Sequence, residues 1–264
     1  MSTKSIIYKY VSILFAVLLL ASLLGNFLLY KKLTRAYLNL YQVHLNPLGI
    51  RQYSDQQQPP LTTKSRVVFY GDSRAVQWKA PEIDNFQFIN RGINGQTSAQ
   101  VLWRFEPHVI ALKPSTIVLQ VGVNDLKMLP ITPQTREDIV QNCQNNIAQI
   151  VDRAHSIGAD IIVTTIFPLG KGNVPIQLRP VWSSIQEMEQ SINEVNEYIR
   201  TLSNNSVSSV QENQVIVLDA YSLLNEEDQN KVKYYKDLLH INQKGYKLLN
   251  DKLESILNNL NTES

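Results

Sequence analysis

The sequence predicts an α/β protein in three layers. Helices cover both faces of a mostly parallel five-stranded sheet, and a transmembrane helix precedes it. Three observations lead there. From about residue 66 onward, short apolar runs of strand length alternate with longer segments of helical period, the pattern of a parallel sheet built from crossovers. Three of the apolar runs stop at Gly71, Asn90 and Gly122, residues suited to turns at strand ends. Near the start, Val11 to Tyr30 carries no charge, and twenty residues at helical rise span a bilayer core of ~30 Å.

The N-terminal segment comes first. Lys4 and Lys9 precede the apolar run and Lys31, Lys32 and Arg35 follow it, with Tyr8, Tyr10 and Tyr30 where interfacial aromatics are expected. A cleaved signal peptide is the rival reading. Signal cores are shorter and end in a small-x-small site, whereas Leu23, Leu24, Phe27 and Leu28 follow Ala21-Ser22 here. The expected organisation is a tail over 1–10, an anchor over 11–30, a stalk over 31–65 and a globular domain over 66–264. Basic residues are nearly balanced across the anchor, so orientation rests on the short tail ahead of it, which places the body outside the cytoplasm. The stalk contains Gln56-Gln57-Gln58-Pro59-Pro60 and shows no sustained period.

The strands are expected at Val67–Tyr70, Phe86–Ile89, Thr116–Val121, Asp160–Thr165 and Val215–Leu218. Thr97 or Ser98 caps a short helix through Phe105. A long helix over Gln134–Ser156 follows from Ile139, Val140, Cys143, Ile147, Ile150, Val151 and Ala154 at helical spacing, with Gly158 as its C-cap. Further helices are expected over Val181–Leu202 and Lys244–Leu260.

Charge excludes one class of partner. The net charge is +2, but residues 1–35 hold five basic residues and no acid, which leaves the remainder at −3. Nothing in such a body supports nucleic-acid binding. The lone Cys143 cannot form an intrachain disulfide and reads as a small buried hydrophobe. The four histidines form no metal-binding pattern, and no phosphate loop is present. No cofactor or metal is therefore expected. His108 and His155 read as surface or helix-end residues, and Trp103 and Trp182 as core or partly buried.

Four motifs follow predicted strand ends, where α/β sheets gather functional groups. Gly71-Asp72-Ser73 places a serine at a helix N-terminus, whose unpaired N–H groups favour negative charge; a plain helix cap is the bland alternative. Asn90-Arg91-Gly92-Ile93-Asn94-Gly95 carries two glycines three apart, fit for presenting a backbone N–H or for an ordinary loop. Gly122-Val123-Asn124-Asp125 offers Asn124 as an oxyanion donor or as an Asx turn. Asp237-Leu238-Leu239-His240 spaces a carboxylate to orient an imidazole, or forms a surface turn with His240 or Asn242 capping the final helix.

In this order the four motifs resemble those of the SGNH or GDSL hydrolases, over roughly residues 65–260. The resemblance implies a flavodoxin-like SGNH fold. It also implies a catalytic triad of Ser73, Asp237 and His240, and an oxyanion hole of Ser73, Gly95 and Asn124. Lys244-Gly245-Tyr246 also fits the family pattern. Where the family nickname has leucine after the serine, this chain has Arg74, a departure that bears on substrate contacts rather than on chemistry. The implied function is a membrane-anchored serine esterase acting on an acyl ester of a small molecule, lipid or glycan. Alternatives are an envelope polysaccharide O-acetyltransferase or deacetylase using the same triad, and a silent binding module.

Overall fold

A computed structural model describes residues 3–53, 62–129, 134–170, 182–205, 213–226 and 233–263. The chain divides into two compact units, Met1–Gly49 and Ile50–Ser264.

The first unit is a single helix, α1 (Thr3–Leu45). Its apolar side chains are exposed along its length, Phe15 and Leu20 among them. It is long and apolar enough to cross a membrane. The helix continues past Tyr30 to Leu45, through residues assigned from the sequence to a stalk. Lys31–Leu45 contains neither glycine nor proline, so nothing in it breaks the i→i−4 ladder. A turn then stops it, with Gly49 N–H bonded to Asn46 O at 3.0 Å and Gly49 at φ +67°. The glutamine–proline run of the expected stalk lies outside the described residues.

The second unit holds the sheet. Strands β1 (Ser65–Gly71), β2 (Phe86–Gly92), β3 (Thr116–Gln120), β4 (Asp160–Thr164) and β5 (Val215–Leu218) lie in the order β2-β1-β3-β4-β5, with every pairing parallel. Between them run α2 (Ser73–Val76), α3 (Ser98–Trp103), α4 (Phe105–Val109), α5 (Val123–Leu126), α6 (Arg136–Ser156) and α7 (Trp182–Asn205). After β5 come α8 (Ala220–Glu226) and α9 (Gln243–Glu263). The expected α/β/α fold is present.

Alternation along β1 separates the two core layers. Val68 and Tyr70 pack with α3, α4, α6 and α7, while Val67 and Phe69 pack with Trp78, α8 and α9. All seven apolar positions anticipated on α6 are buried, each stabilising by roughly 1–3 kcal/mol. Thr135 caps that helix by accepting from Asp138 N–H, and Gly158 ends it at φ +73°. Trp103 departs from expectation: it is 64% exposed, with the Arg153 guanidinium over its ring. The large indole in the core belongs instead to Trp78, which contacts Phe69, Phe167 and Tyr246. The side chain of Trp182 lies outside the described residues.

The strand order fixes where a site can form. The chain leaves β1 toward β2 on one side and returns to β3 on the other. The carboxyl ends of β1 and β3 therefore flank a crevice that neither crossover covers.

Candidate active site

Ser73 sits at the end of β1 because Gly71 permits a turn no other residue can make. Gly71 has φ +148°, and a Cβ there would fall 1.8 Å from the Gln120 carbonyl oxygen on β3. Asp72 N–H bonds that same oxygen at 3.1 Å. The Asp72 carboxylate then accepts the Arg74 N–H at 2.8 Å and caps α2. The turn is pressed against β2, where a Cβ on Gly92 would lie 2.5 Å from Val76 N. Asn90 secures the contact by donating to Ala75 O at 2.7 Å. Ser73 is left 8% exposed at the start of the helix.

Asp237 and His240, expected from the sequence as acid and base, lie in one closed loop after α8. Tyr235 and Ile241 pair across its neck, and Lys236 N–H bonds His240 O at 2.9 Å. Within it, Asp237 Oδ1 accepts the N–H groups of Leu239 and His240, both at 2.8 Å. The Asp237 carboxylate also lies 2.9 Å from His240 Nδ1 through Oδ2. One side chain therefore both shapes the turn and orients the ring. The opposite ring nitrogen, Nε2, lies 2.9 Å from Ser73 Oγ, although 167 positions of sequence separate the two residues. Burial works to raise the Asp237 pKa, but the bonds from His240 and Leu239 outweigh it and hold the carboxyl below its usual value.

The remaining motifs converge on the same edge. Gly95 lies at φ +75° in an exposed turn after β2. Asn124 is buried at the start of α5, and its Nδ2 donates to Gln96 O at 2.9 Å. This bond ties the loop after β3 to the loop that carries Gly95, and leaves the amide a second hydrogen to donate. Asp125, the next residue, is half-buried. It accepts Ser98 N–H at 2.8 Å and Ser98 Oγ at 2.6 Å, fastening α3 to α5. Burial pushes Asp125 up to about 6. Asp72 is likewise pushed up to about 6 by burial, against the lowering effect of Arg74. Cys143 is buried, and its burial pushes the thiol well above its ordinary range.

Two contributions were missed in the sequence. Arg74, expected to bear on substrate contacts, is fully buried under the histidine loop. Its Nε donates to Leu239 O at 2.8 Å and its guanidinium lies over the Phe167 ring. Tyr246 donates its hydroxyl to Arg74 O at 2.8 Å. The motif containing Tyr246 was visible; its contact, 172 positions away, was not. His108 stands at the end of α4 as expected but is only 3% exposed. It lies between Arg104 and the carbonyl of Ile50.

Comparison with known proteins finds a curated relative and solved structures of similar fold. The uncharacterized lipoprotein YqeF of Bacillus subtilis (strain 168) is 28% identical over 124 residues, covering 40% of this chain and 50% of that protein. The match thus spans about half the length of the curated relative. Among solved structures, a protein from Bacteroides fragilis provisionally assigned as an acylhydrolase superposes with TM-score 0.60 at 25% identity, covering 80% of this chain and 95% of that one. A GDSL-like lipase from Bacteroides thetaiotaomicron has TM-score 0.60 at 22% identity, with 81% and 98% covered. An acetylxylan esterase from Geobacillus stearothermophilus shares the fold with TM-score 0.55 at 17% identity, with 73% and 94% covered. The family model for GDSL-like lipases and acylhydrolases matches residues 63–248, a span that includes the serine turn, the loops of Gly95 and Asn124 and the Asp–His loop: the chain belongs to the GDSL-like lipase/acylhydrolase family.

Proposed function

We propose that the globular unit hydrolyses carboxylic esters through an acyl-serine intermediate, with Ser73 as nucleophile, His240 as general base and acid, and Asp237 as the orienting carboxylate. One observation carries this reading: His240 bridges Ser73 Oγ and the Asp237 carboxylate, with 2.9 Å on each side. Asp237 accepts the Nδ1 proton, which leaves the Nε2 lone pair directed at the serine hydroxyl.

Ser73 Oγ attacks the ester carbonyl as its proton passes to His240 Nε2. The oxyanion is held by the backbone N–H groups of Ser73 and Gly95 and by Asn124 Nδ2. The C–O bond to the alcohol breaks, and the departing oxygen takes the proton from His240. Water, deprotonated by the same imidazole, then releases the acid and restores the serine.

The anchor belongs to the same proposal. Val11–Tyr30 within α1 holds the protein in a membrane, the tail before it remains inside, and the hydrolase unit lies outside the cytoplasm. Its substrate is then an acyl ester of a lipid or glycan in that compartment.

A fluorophosphonate probe and a short-chain aryl ester test the chemistry. The wild-type chain is labelled at Ser73 and turns over the ester. Ser73→Ala abolishes labelling and lowers kcat by roughly 10³-fold or more. Near-wild-type hydrolysis by Ser73→Ala removes the assignment.

A further inference from the structure

Beside the histidine loop runs an open groove of about 540 Å³. Its walls continue the catalytic elements directly. Gln77 N–H bonds Ser73 O at 3.0 Å, Lys236 immediately precedes Asp237, and Ile241 follows His240. Four lysines line it: Lys79, Lys236, Lys244 and Lys247. The one carboxylate among the lining residues is Glu82. Lys247 is held by Asp251 at 3.0 Å, and Lys236 Nζ reaches Gln77 Oε1 at 3.4 Å across the groove. Lys79 and Lys244 stand exposed.

This concentration runs against the rest of the molecule, because residues 36–264 carry a net charge of −3. It also contrasts with the cavity on the oxyanion side. That cavity, about 440 Å³, is lined by Thr97, Gln134, Asn142 and Asn146, and its one ionisable group is Asp125, already clamped by Ser98. Among the described residues, lysines line the groove on the imidazole side, and none lines the cavity on the oxyanion side.

The chemistry assigns the imidazole side to one half of the substrate. In forming an acyl-serine, the imidazole gives its proton to the departing oxygen, so the alcohol half lies toward the histidine. The acyl half stays on the serine beside the oxyanion donors. Resting on the esterase reading above, we propose that this groove is a subsite for a negatively charged alcohol half: the substrate is an ester whose alcohol carries a carboxylate or phosphate, joined to an uncharged acyl group. Lysines lining a groove concentrate such an anion from solution, and salt screens the effect.

The test uses the full chain in detergent and pairs of esters that differ in one charge. 4-Carboxyphenyl acetate and 4-acetoxyphenyl phosphate are compared with the neutral 4-carbamoylphenyl acetate, each normalised to its rate in alkali. Phenyl succinate, charged on the acyl half, is compared with phenyl butyrate. Wild type favours the anionic alcohols in kcat/KM by roughly tenfold at low ionic strength, and the preference shrinks as salt rises. It shows no preference for the succinate. Lys79→Glu with Lys244→Glu inverts the ratio, and the milder pair Lys79→Gln with Lys244→Gln brings it toward one. Wild-type hydrolysis without a charge preference, a preference unmoved by these variants, or one that follows the acyl half overturns the subsite alone. A chain that hydrolyses none of the esters and takes no fluorophosphonate label overturns the esterase reading, and the subsite with it.

Discussion

Arg74 links the turn that carries Ser73 to the loop that carries His240. A buried guanidinium is costly unless its surroundings compensate it. Here they include the Leu239 carbonyl, the face of Phe167 and the charge of Asp72. Its own N–H is taken by the Asp72 cap and its carbonyl by Tyr246. The residue after Ser73 is thus fastened to the residue before His240, and leucine at this position has no donor to make that bond. Replacing Arg74 by Met lets the loop move relative to the serine, and displacements of ~1 Å cost up to ~10² in rate. The expected result for Arg74→Met is kcat lower by about 10- to 100-fold with KM nearly unchanged. Arg74→Lys recovers part of the loss by restoring a donor and a charge. Steady-state kinetics well below the melting temperature separate this from simple unfolding, which lowers active enzyme without the lysine rescue. The sequence shows an arginine at this place but not its direction. Whether it points to substrate or beneath the loop depends on a carbonyl 165 positions away.

Asp219, just after β5, gathers three segments around one carboxylate. Arg200 on α7 donates through Nε at 2.9 Å and Nη2 at 3.1 Å. Thr165, after β4, donates at 3.0 Å, and Ser222 on α8 donates from its N–H at 3.1 Å and its hydroxyl at 2.8 Å. Burial works to raise this carboxyl, and the bonds from Arg200, Ser222 and Thr165 outweigh it, so its pKa lies below the usual value. A carboxyl depressed on folding stabilises above its unfolded pKa of 3.8 and loses that contribution as pH falls through the folded value. Asp219→Ala should therefore cost about 1–2 kcal/mol at pH 7, after allowing for solvent screening of a partly exposed group. The gap from wild type should close as pH falls below 3.8. Urea titrations at pH 7 and near pH 3 measure both quantities. None of this junction was foreseen, whereas β5 itself was located to the residue and α6 by all its buried positions. Strands buried on both faces and a long amphipathic helix leave repeating apolar patterns. A seven-residue helix such as α8 is too short for a period. A clamp made of single polar contacts leaves no period at all.

The same reason explains where the globular unit begins. Sequence pattern places its start near residue 66, since nothing periodic precedes the first strand. The structure starts the compact unit at Ile50, and two specific contacts hold the added piece. Tyr53 donates its hydroxyl to Gly92 O, packs edge-on against His108 and lies under the Arg91 guanidinium. The Ile50 carbonyl meets His108 Nε2 at 3.0 Å. Gly92 belongs to the strand end that presses on the serine turn, so these residues brace the back of the site rather than merely connect to it. Two shortened variants distinguish a brace from a linker. One beginning at Ile50 should leave the sedimenting membrane fraction, remain folded and keep ester hydrolysis. One beginning at Thr62 also loses Ile50 and Tyr53 and leaves buried partners unsatisfied, at about 1–3 kcal/mol. For a unit of this size that lowers the melting temperature by roughly 2–12 °C relative to the first variant. Thermal melts of the two side by side make the measurement. Coincident melting curves reduce Ile50–Tyr53 to a tether, and a variant from Ile50 that still sediments with membranes moves the anchor out of α1.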